Sequence, residues 1–237
     1  MEFLVGGILG SVWGCGAHRP CLCGRPRKRE GIALESYDDL YRGDALYWGE
    51  EPNDLVRRAC AALTSETGRP ARAIDLGCGE GRDLIYLARS GFDATGVDRS
   101  VPGLAKAERW AEREGLAVRT VAADINSYVL DGLYDLVYAS GTLTFLARAL
   151  RAEFIQHCKD HTRPGGVHAF NAFVEKPYLA VPPDWGEDEE FFRSGEVLSL
   201  FWDWEIVEAG EVEFDCASGG VPHRHAMDTV IARRPVG

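Results

Sequence analysis

Short β-prone runs alternate with stretches of helical period along most of the chain. The first run is Arg72 to Leu76, and a helical pattern of Leu84, Ile85, Leu87 and Ala88 follows it over residues 82–90. Gly91 stands where a helix of that length needs a residue past its end. A second run closes on Asp98. Ser100 is placed to cap the next helix, with Pro102 in its first turn and Gly115 at its end. Ala117 to Ala123 and Tyr134 to Tyr138 read as third and fourth strands, the latter apolar enough to be central. A helix over 150–157 follows. Then come an Arg163-Pro164-Gly165-Gly166 turn and a fifth strand, Val167 to Ala172. Ahead of all this, Asn53 is placed to cap a helix through Leu55, Val56, Ala59, Cys60 and Leu63 that ends near Gly68. Beyond it, Ser194 is placed to cap a short helix to Phe201. Trp204–Val212 and Ala226–Arg233 alternate like two further strands. Alternating β and α patterns of this kind predict a parallel sheet covered by helices on both faces.

The first strand runs into Asp75-Leu76-Gly77-Cys78-Gly79-Glu80-Gly81, an acid followed by glycines at alternate positions. Such a loop lets a ligand approach the backbone, and the helix after it presents unpaired N–H groups. The second strand ends on an acid, Asp98, placed to accept both hydroxyls of a ribose. A nucleoside-containing cofactor on a Rossmann-like, doubly wound sheet follows. The dinucleotide pattern G-x-G-x-x-G serves a pyrophosphate, but here the third glycine comes one residue early. Asp75 would repel a pyrophosphate and suits a cationic group instead. Both departures favour S-adenosyl-L-methionine (SAM) over a nicotinamide cofactor.

On these residues the sequence resembles the class I SAM-dependent methyltransferases, over roughly residues 36–235. Within them it is similar to the tellurite-resistance methyltransferase branch. The branch likeness rests on the aromatic segment before the first helix, Gly81-Arg82, the Arg163–Gly166 turn, Gly195-Glu196 with Trp204-Glu205, and the terminal Ile231-Ala232-Arg233-Arg234. The resemblance implies an α/β fold with a seven-stranded, mostly parallel sheet whose last strand is antiparallel. It implies methylation of a small molecule, including soft chalcogen oxyanions. It places Gly77, Gly79 and Gly81 around the methionine and ribose, Asp98 on the ribose and Arg99 beside the adenine. Asp124 and Ile125 fall by the adenine amino group and face. Ser140 falls where the methyl group meets the acceptor, and Tyr41 and Trp48 help close the pocket.

His223-Arg224-His225 is the cluster best suited to hold an anionic acceptor, because arginine offers a fixed donor fork and histidine can donate or accept. In a strand the two histidines would share one face and Arg224 would take the other. In a loop all three could converge. Two other readings stand beside the methyltransferase: an NAD-type oxidoreductase, and a SAM-binding protein without turnover.

The chain has 237 residues and a net charge of −11, and 46% of it is hydrophobic. That suits one domain, expected over residues 31–237, and does not suit nucleic acid or an anionic membrane as partner. Residues 1–30 read as a flexible leader. Its apolar stretch at residues 3–13 is too short to span a bilayer and has no basic residue before it. The later cysteines are scattered as in a reducing cytoplasm. Cys15, His18, Cys21 and Cys23 carry ligand chemistry, but their spacing matches no common zinc module, so no metal is expected.

Overall fold

In the computed structural model, residues 37–63, 68–182, 189–216 and 221–237 are described. The expected leader and its Cys15/His18/Cys21/Cys23 group lie outside them. One seven-stranded sheet organises the described chain. Its strands are β1 (Arg72–Leu76), β2 (Asp93–Asp98), β3 (Val118–Ala122), β4 (Tyr134–Ala139), β5 (Thr162–Val174), β6 (Glu205–Cys216) and β7 (His223–Arg233). They lie in the order β3-β2-β1-β4-β5-β7-β6. The first five are parallel, and β7 runs antiparallel between β5 and β6. The helices are α1 (Tyr37–Tyr41), α2 (Asp54–Ala62), α3 (Arg82–Arg89), α4 (Val101–Glu114), α5 (Arg151–Asp160) and α6 (Glu196–Ser199).

Alternation along the strands divides the core. Ile74 and Leu76 of β1, and Val137 and Ala139 of β4, face Phe154, Ile155 and Cys158 of α5 and Val197 of α6. Ala73, Leu136 and Tyr138 face the other way, onto Leu55, Val56 and Ala59 of α2, Leu84 and Leu87 of α3, and Leu104 and Ala107 of α4. All six residues of β4 are buried, which fits a central strand covered on both faces. The predicted caps form: Asn53 accepts from Leu55 N, Ser100 accepts from Gly103 N, and Gly115 ends α4 in the left-handed region at φ 65°.

Several local expectations differ. α2 stops at Ala62, well short of Gly68. The Arg163–Gly166 segment is an irregularity inside β5 and not a turn before it. Thr162 pairs with Tyr134 and Val167 with Leu136, and Gly165 N and Gly166 O bond Arg234 on the other side. The cap of α6 is Gly195 and not Ser194, whose hydroxyl instead takes a hydrogen bond from Lys176. β6 also runs on to Cys216. This edge strand carries Glu205, Glu208, Glu211, Glu213 and Asp215, a charged edge that discourages pairing with another chain.

Candidate functional site

The chain leaves β1 toward β2 on one side, while β4 pairs with β1 on the other. Ligands of open α/β sheets bind in the crevice that such a reversal opens at the carboxyl ends of the strands. A cavity of about 380 Å³ lies there, lined by the β1–α3 loop, the end of β2, and residues 123–126, 140–142, 144–145, 171 and 173.

Asp75, the next-to-last residue of β1, lies in the cavity wall. It is buried, and its Oδ2 has no hydrogen-bond partner among the described residues. Burial first, then the nearby charge of Asp83, pushes its carboxyl well above the usual carboxylate range. A buried carboxylate oxygen without a partner is costly. A ligand cation is the partner that would relieve it. Asp98 is different. Its Oδ2 accepts from Gly79 N and its Oδ1 from Ser100 N, both at 2.8 Å. Each carboxylate oxygen has a second acceptor position, so two hydroxyls can still be taken. Burial raises the pKa of Asp98, and those two backbone donors oppose the rise.

Gly77 has φ 81°, and a Cβ there would lie 1.9 Å from Thr142 Oγ1. Gly77 and Gly79 line the cavity. Gly81 does not, because its missing side chain lets Ala107 of α4 approach to within 2.6 Å of where a Cβ would be. The expected third cofactor glycine is therefore a helix-packing glycine.

Arg99, Asp124 and Ile125 line the cavity. Asp124 Oδ1 accepts from the backbone and side-chain amides of Asn126, which hold its pKa down. Tyr41 and Trp48 line the opposite wall and bond each other, Trp48 Nε1 donating to Tyr41 Oη at 2.9 Å. Ser140 sits at the end of β4. Its hydroxyl accepts from Asn53 Nδ2 at 2.9 Å and from Asn171 Nδ2 at 3.0 Å.

Several contributors were not read from the sequence. Glu80 is buried, accepts from Tyr47 N at 2.7 Å, and pairs with Lys106 at 2.5 Å. Lys106 in turn donates to Ala45 O, so the two side chains tie residues 45–48 to the glycine loop. Asp83 accepts from Asn53 N, Tyr138 Oη and Arg82. Asn171 also accepts from Gly141 N, fixing the loop after β4. An acid on the helix side of the glycine loop was visible in Asp83. Its partners, at Asn53 and Tyr138, lie too far along the chain for any local pattern to show.

His223, Arg224 and His225 are on β7 and do not line the cavity. Arg224 pairs across the hairpin with Glu213 and Asp215, both at 3.1 Å. The two histidines share the opposite face, His223 Nε2 lying 2.9 Å from His225 Nε2, and His225 packs on Phe173 and Phe214. The strand placement separates the three residues that a loop would have let converge. Phe145, Phe173, Asn171, Glu189 and Met227 line that end of the cavity instead. Cys60, Cys78 and Cys158 are free thiols. Burial pushes the thiols of Cys78 and Cys158 up, so Cys78, although it lines the cavity, is no ready nucleophile.

The sheet order, the acid before the glycine loop and the acid ending β2 define the Rossmann-like fold of SAM-dependent methyltransferases. The chain belongs to the tellurite resistance protein TehB family, whose model matches residues 57–215. It is 30% identical over 142 residues to the probable SAM-dependent methyltransferase TehB of Haemophilus influenzae, covering 60% of this chain and 49% of that protein. It is 31% identical over 173 residues to hemagglutinin 1 of Eikenella corrodens, covering 72% of this chain and 57% of that one. The crystal structure of TehB from H. influenzae superposes with a TM-score of 0.67 at 25% identity, over 84% of this chain and 65% of that chain. The chain thus spans about half the length of these curated relatives. No helix among the described residues is long and apolar enough to cross a membrane.

The residues present fit SAM. The partnerless Asp75 oxygen suits its ammonium group, and Asp98 has acceptor capacity left for its ribose. The glycine loop between them allows close approach.

Proposed function

We propose that this chain is a SAM-dependent methyltransferase that acts on a small, soft nucleophile, such as a thiol or a chalcogen oxyanion, in the cytoplasm. The observation that carries the reading is the buried Asp75 side chain, whose Oδ2 has no hydrogen-bond partner among the described residues, one loop away from Asp98. The cofactor, when bound, supplies an activated methyl group on a sulfonium.

The protein's own residues bind, orient and exclude water. Asp75 takes the ammonium group and Asp98 the ribose hydroxyls. Arg99, Asp124 and Ile125 flank the base. Trp48, whose backbone N–H donates to Glu80, bonds Tyr41, and the two close the near wall. Ser140 is fixed by two amide donors. Phe145, Phe173 and Met227 give the acceptor end an apolar surface that suits a polarisable atom. Holding donor and acceptor in line in such a site contributes up to roughly 7–11 kcal/mol in well-aligned models. Among the described lining residues there is no histidine or lysine. A nucleophile that arrives ionised or sheds its proton readily needs no general base, and Glu189 is the carboxylate at the acceptor end for one that does.

The test is turnover of methyl-labelled SAM against thiols, selenite, tellurite, amines and small acids, with volatile products trapped. Labelled product from a thiol or a chalcogen oxyanion is expected. Adenosylhomocysteine binding without turnover on any of them would leave a SAM-binding protein. Binding of NAD in its place would return the oxidoreductase.

A further inference from the structure

The open end of the β6–β7 hairpin brings together a second set of chemically able side chains that the methyl-transfer reading does not use. Cys216 lies directly across from His223, and Phe214 directly across from His225. Residues two apart in a strand share a face, so the sulfur and both imidazoles project to the same side of the hairpin. One ligand atom from each of Cys216, His223 and His225 lies within 4.8 Å of the other two. Cys216 and His225 are buried, and His223 is half-buried. Phe173 and Phe214 wall the group. Arg224, the nearest cation on β7, points to the other face and is held there by Glu213 and Asp215.

We propose that Cys216, His223 and His225 form a binding site for a divalent transition ion of the zinc class, available when Cys216 is a thiol. One thiolate and two imidazoles are the donor set such an ion favours over magnesium or calcium. Bond lengths of about 2.3 Å to sulfur and 2.0–2.1 Å to nitrogen place the donors of a tetrahedral ion roughly 3.3–3.8 Å apart. Donor atoms that all lie within 4.8 Å of one another are near that spacing. A water completes the fourth position. In the structure Cys216 is disulfide-bonded, so the site is gated by redox state. A dithiol reductant gives two electrons and two protons to the Cys216 disulfide and is itself oxidised to a disulfide. The ion then displaces the thiol proton to solvent and takes the sulfur lone pair. The β7 face that carries the two histidines continues to Met227 in the cavity lining. An ion here would therefore pin the hairpin next to the acceptor end.

The experiment uses the full-length protein, reduced with a dithiol and freed of metal, then titrated with Co²⁺ and afterwards with Zn²⁺. One equivalent of Co²⁺ should bind with a thiolate-to-cobalt charge-transfer absorption that Zn²⁺ bleaches. Cys216→Ser should lose that absorption. His223→Ala, at a half-buried position where folding is less at stake, should weaken binding by more than the roughly 10–100-fold that loss of an outer-shell partner costs. Oxidised protein should lack the band. No stoichiometric uptake by the reduced wild type would overturn the proposal. So would a band that survives in both variants, which would put the ion on other cysteines.

Discussion

Four acids, Asp75, Glu80, Asp83 and Asp98, crowd the β1–β2 end of the cavity, with Arg82 and Arg99 beside them in the lining and Lys106 behind Glu80. At the β5–β7 end the lining is Phe145, Phe173, Met227, Asn171 and a single carboxylate, Glu189. One end is short of positive charge in a place where water cannot supply it. The other offers contact surface and few fixed charges. The first can select a ligand by charge and hydrogen bonds, and it tolerates few substitutions. The second can be reshaped without disturbing the first, which is what a family with one cofactor and many acceptors requires.

The contrast is broken most decisively at Gly79. It has φ 53°, and a Cβ there would meet Tyr41 Oη at 2.9 Å. A β-branched residue resists this backbone region, so Gly79→Val should fold and show no measurable cofactor binding by calorimetry. Normal affinity would mean the loop does not approach the ligand.

Asp98→Ala should weaken adenosylhomocysteine by about 1.5–3 kcal/mol, through the loss of an acceptor shared by two hydroxyls. It should also loosen the loop, because Gly79 N and Ser100 N lose their acceptor with it. Asp75→Asn should have a similar effect on affinity and an additional signature. Burial raises the Asp75 pKa in the ligand-free protein. A ligand ammonium would bring it down, so binding should release protons, more of them as pH falls toward that raised pKa. Calorimetry in two buffers of different ionisation enthalpy reads this release, and it should vanish in Asp75→Asn. Equal release in both proteins would assign the proton elsewhere.

A smaller effect belongs to the far side of the sheet. His168 on β5 is buried beside Thr162 Oγ1 at 2.7 Å, and burial holds its pKa down to about 3. An unfolded histidine titrates near 6.5, so between those values the unfolded state binds the extra proton. The stability His168 contributes is complete above about pH 6.5. It drains as pH falls toward 3, by at most about 1.4 kcal/mol per pH unit. His168→Gln should flatten the acid side of the stability–pH curve by about one proton. An unchanged slope would mean that His168 is not neutral in the fold.

The smallest expected effect is at Arg224. Paired outward with Glu213 and Asp215, it should leave the KM for the acceptor nearly unaltered when replaced by alanine. A large rise in KM would bring the hairpin back into the acceptor site.

The β1–β2 end was the legible part because its parts are local. The acid, the glycines and the helix start lie within a dozen residues, and Asp98 follows at the end of the next strand. The boundaries of β1 to β4, to within a residue, and the caps at Asn53, Ser100 and Gly115 came from the same short-range rules. The acceptor end is assembled from residues as distant as Asn53, Ser140, Asn171 and Met227, and no spacing announces that they meet. The same limit applies to Gly81, where the fingerprint position is set by Ala107 on another helix. It applies also to the 223–225 cluster, whose residue types suit an anion but whose strand geometry turns Arg224 away.

Asp98 carries a consequence for timing. Its carboxylate bridges Gly79 N and Ser100 N, two donors of the protein itself. The loop is therefore held open in its working shape rather than folded around its guest. Amide hydrogen exchange at Gly79 and Ser100 should be slow in the ligand-free protein and change little on saturation. Cofactor association should then be limited by entry past Tyr41 and Trp48 and not by any rearrangement of the loop itself.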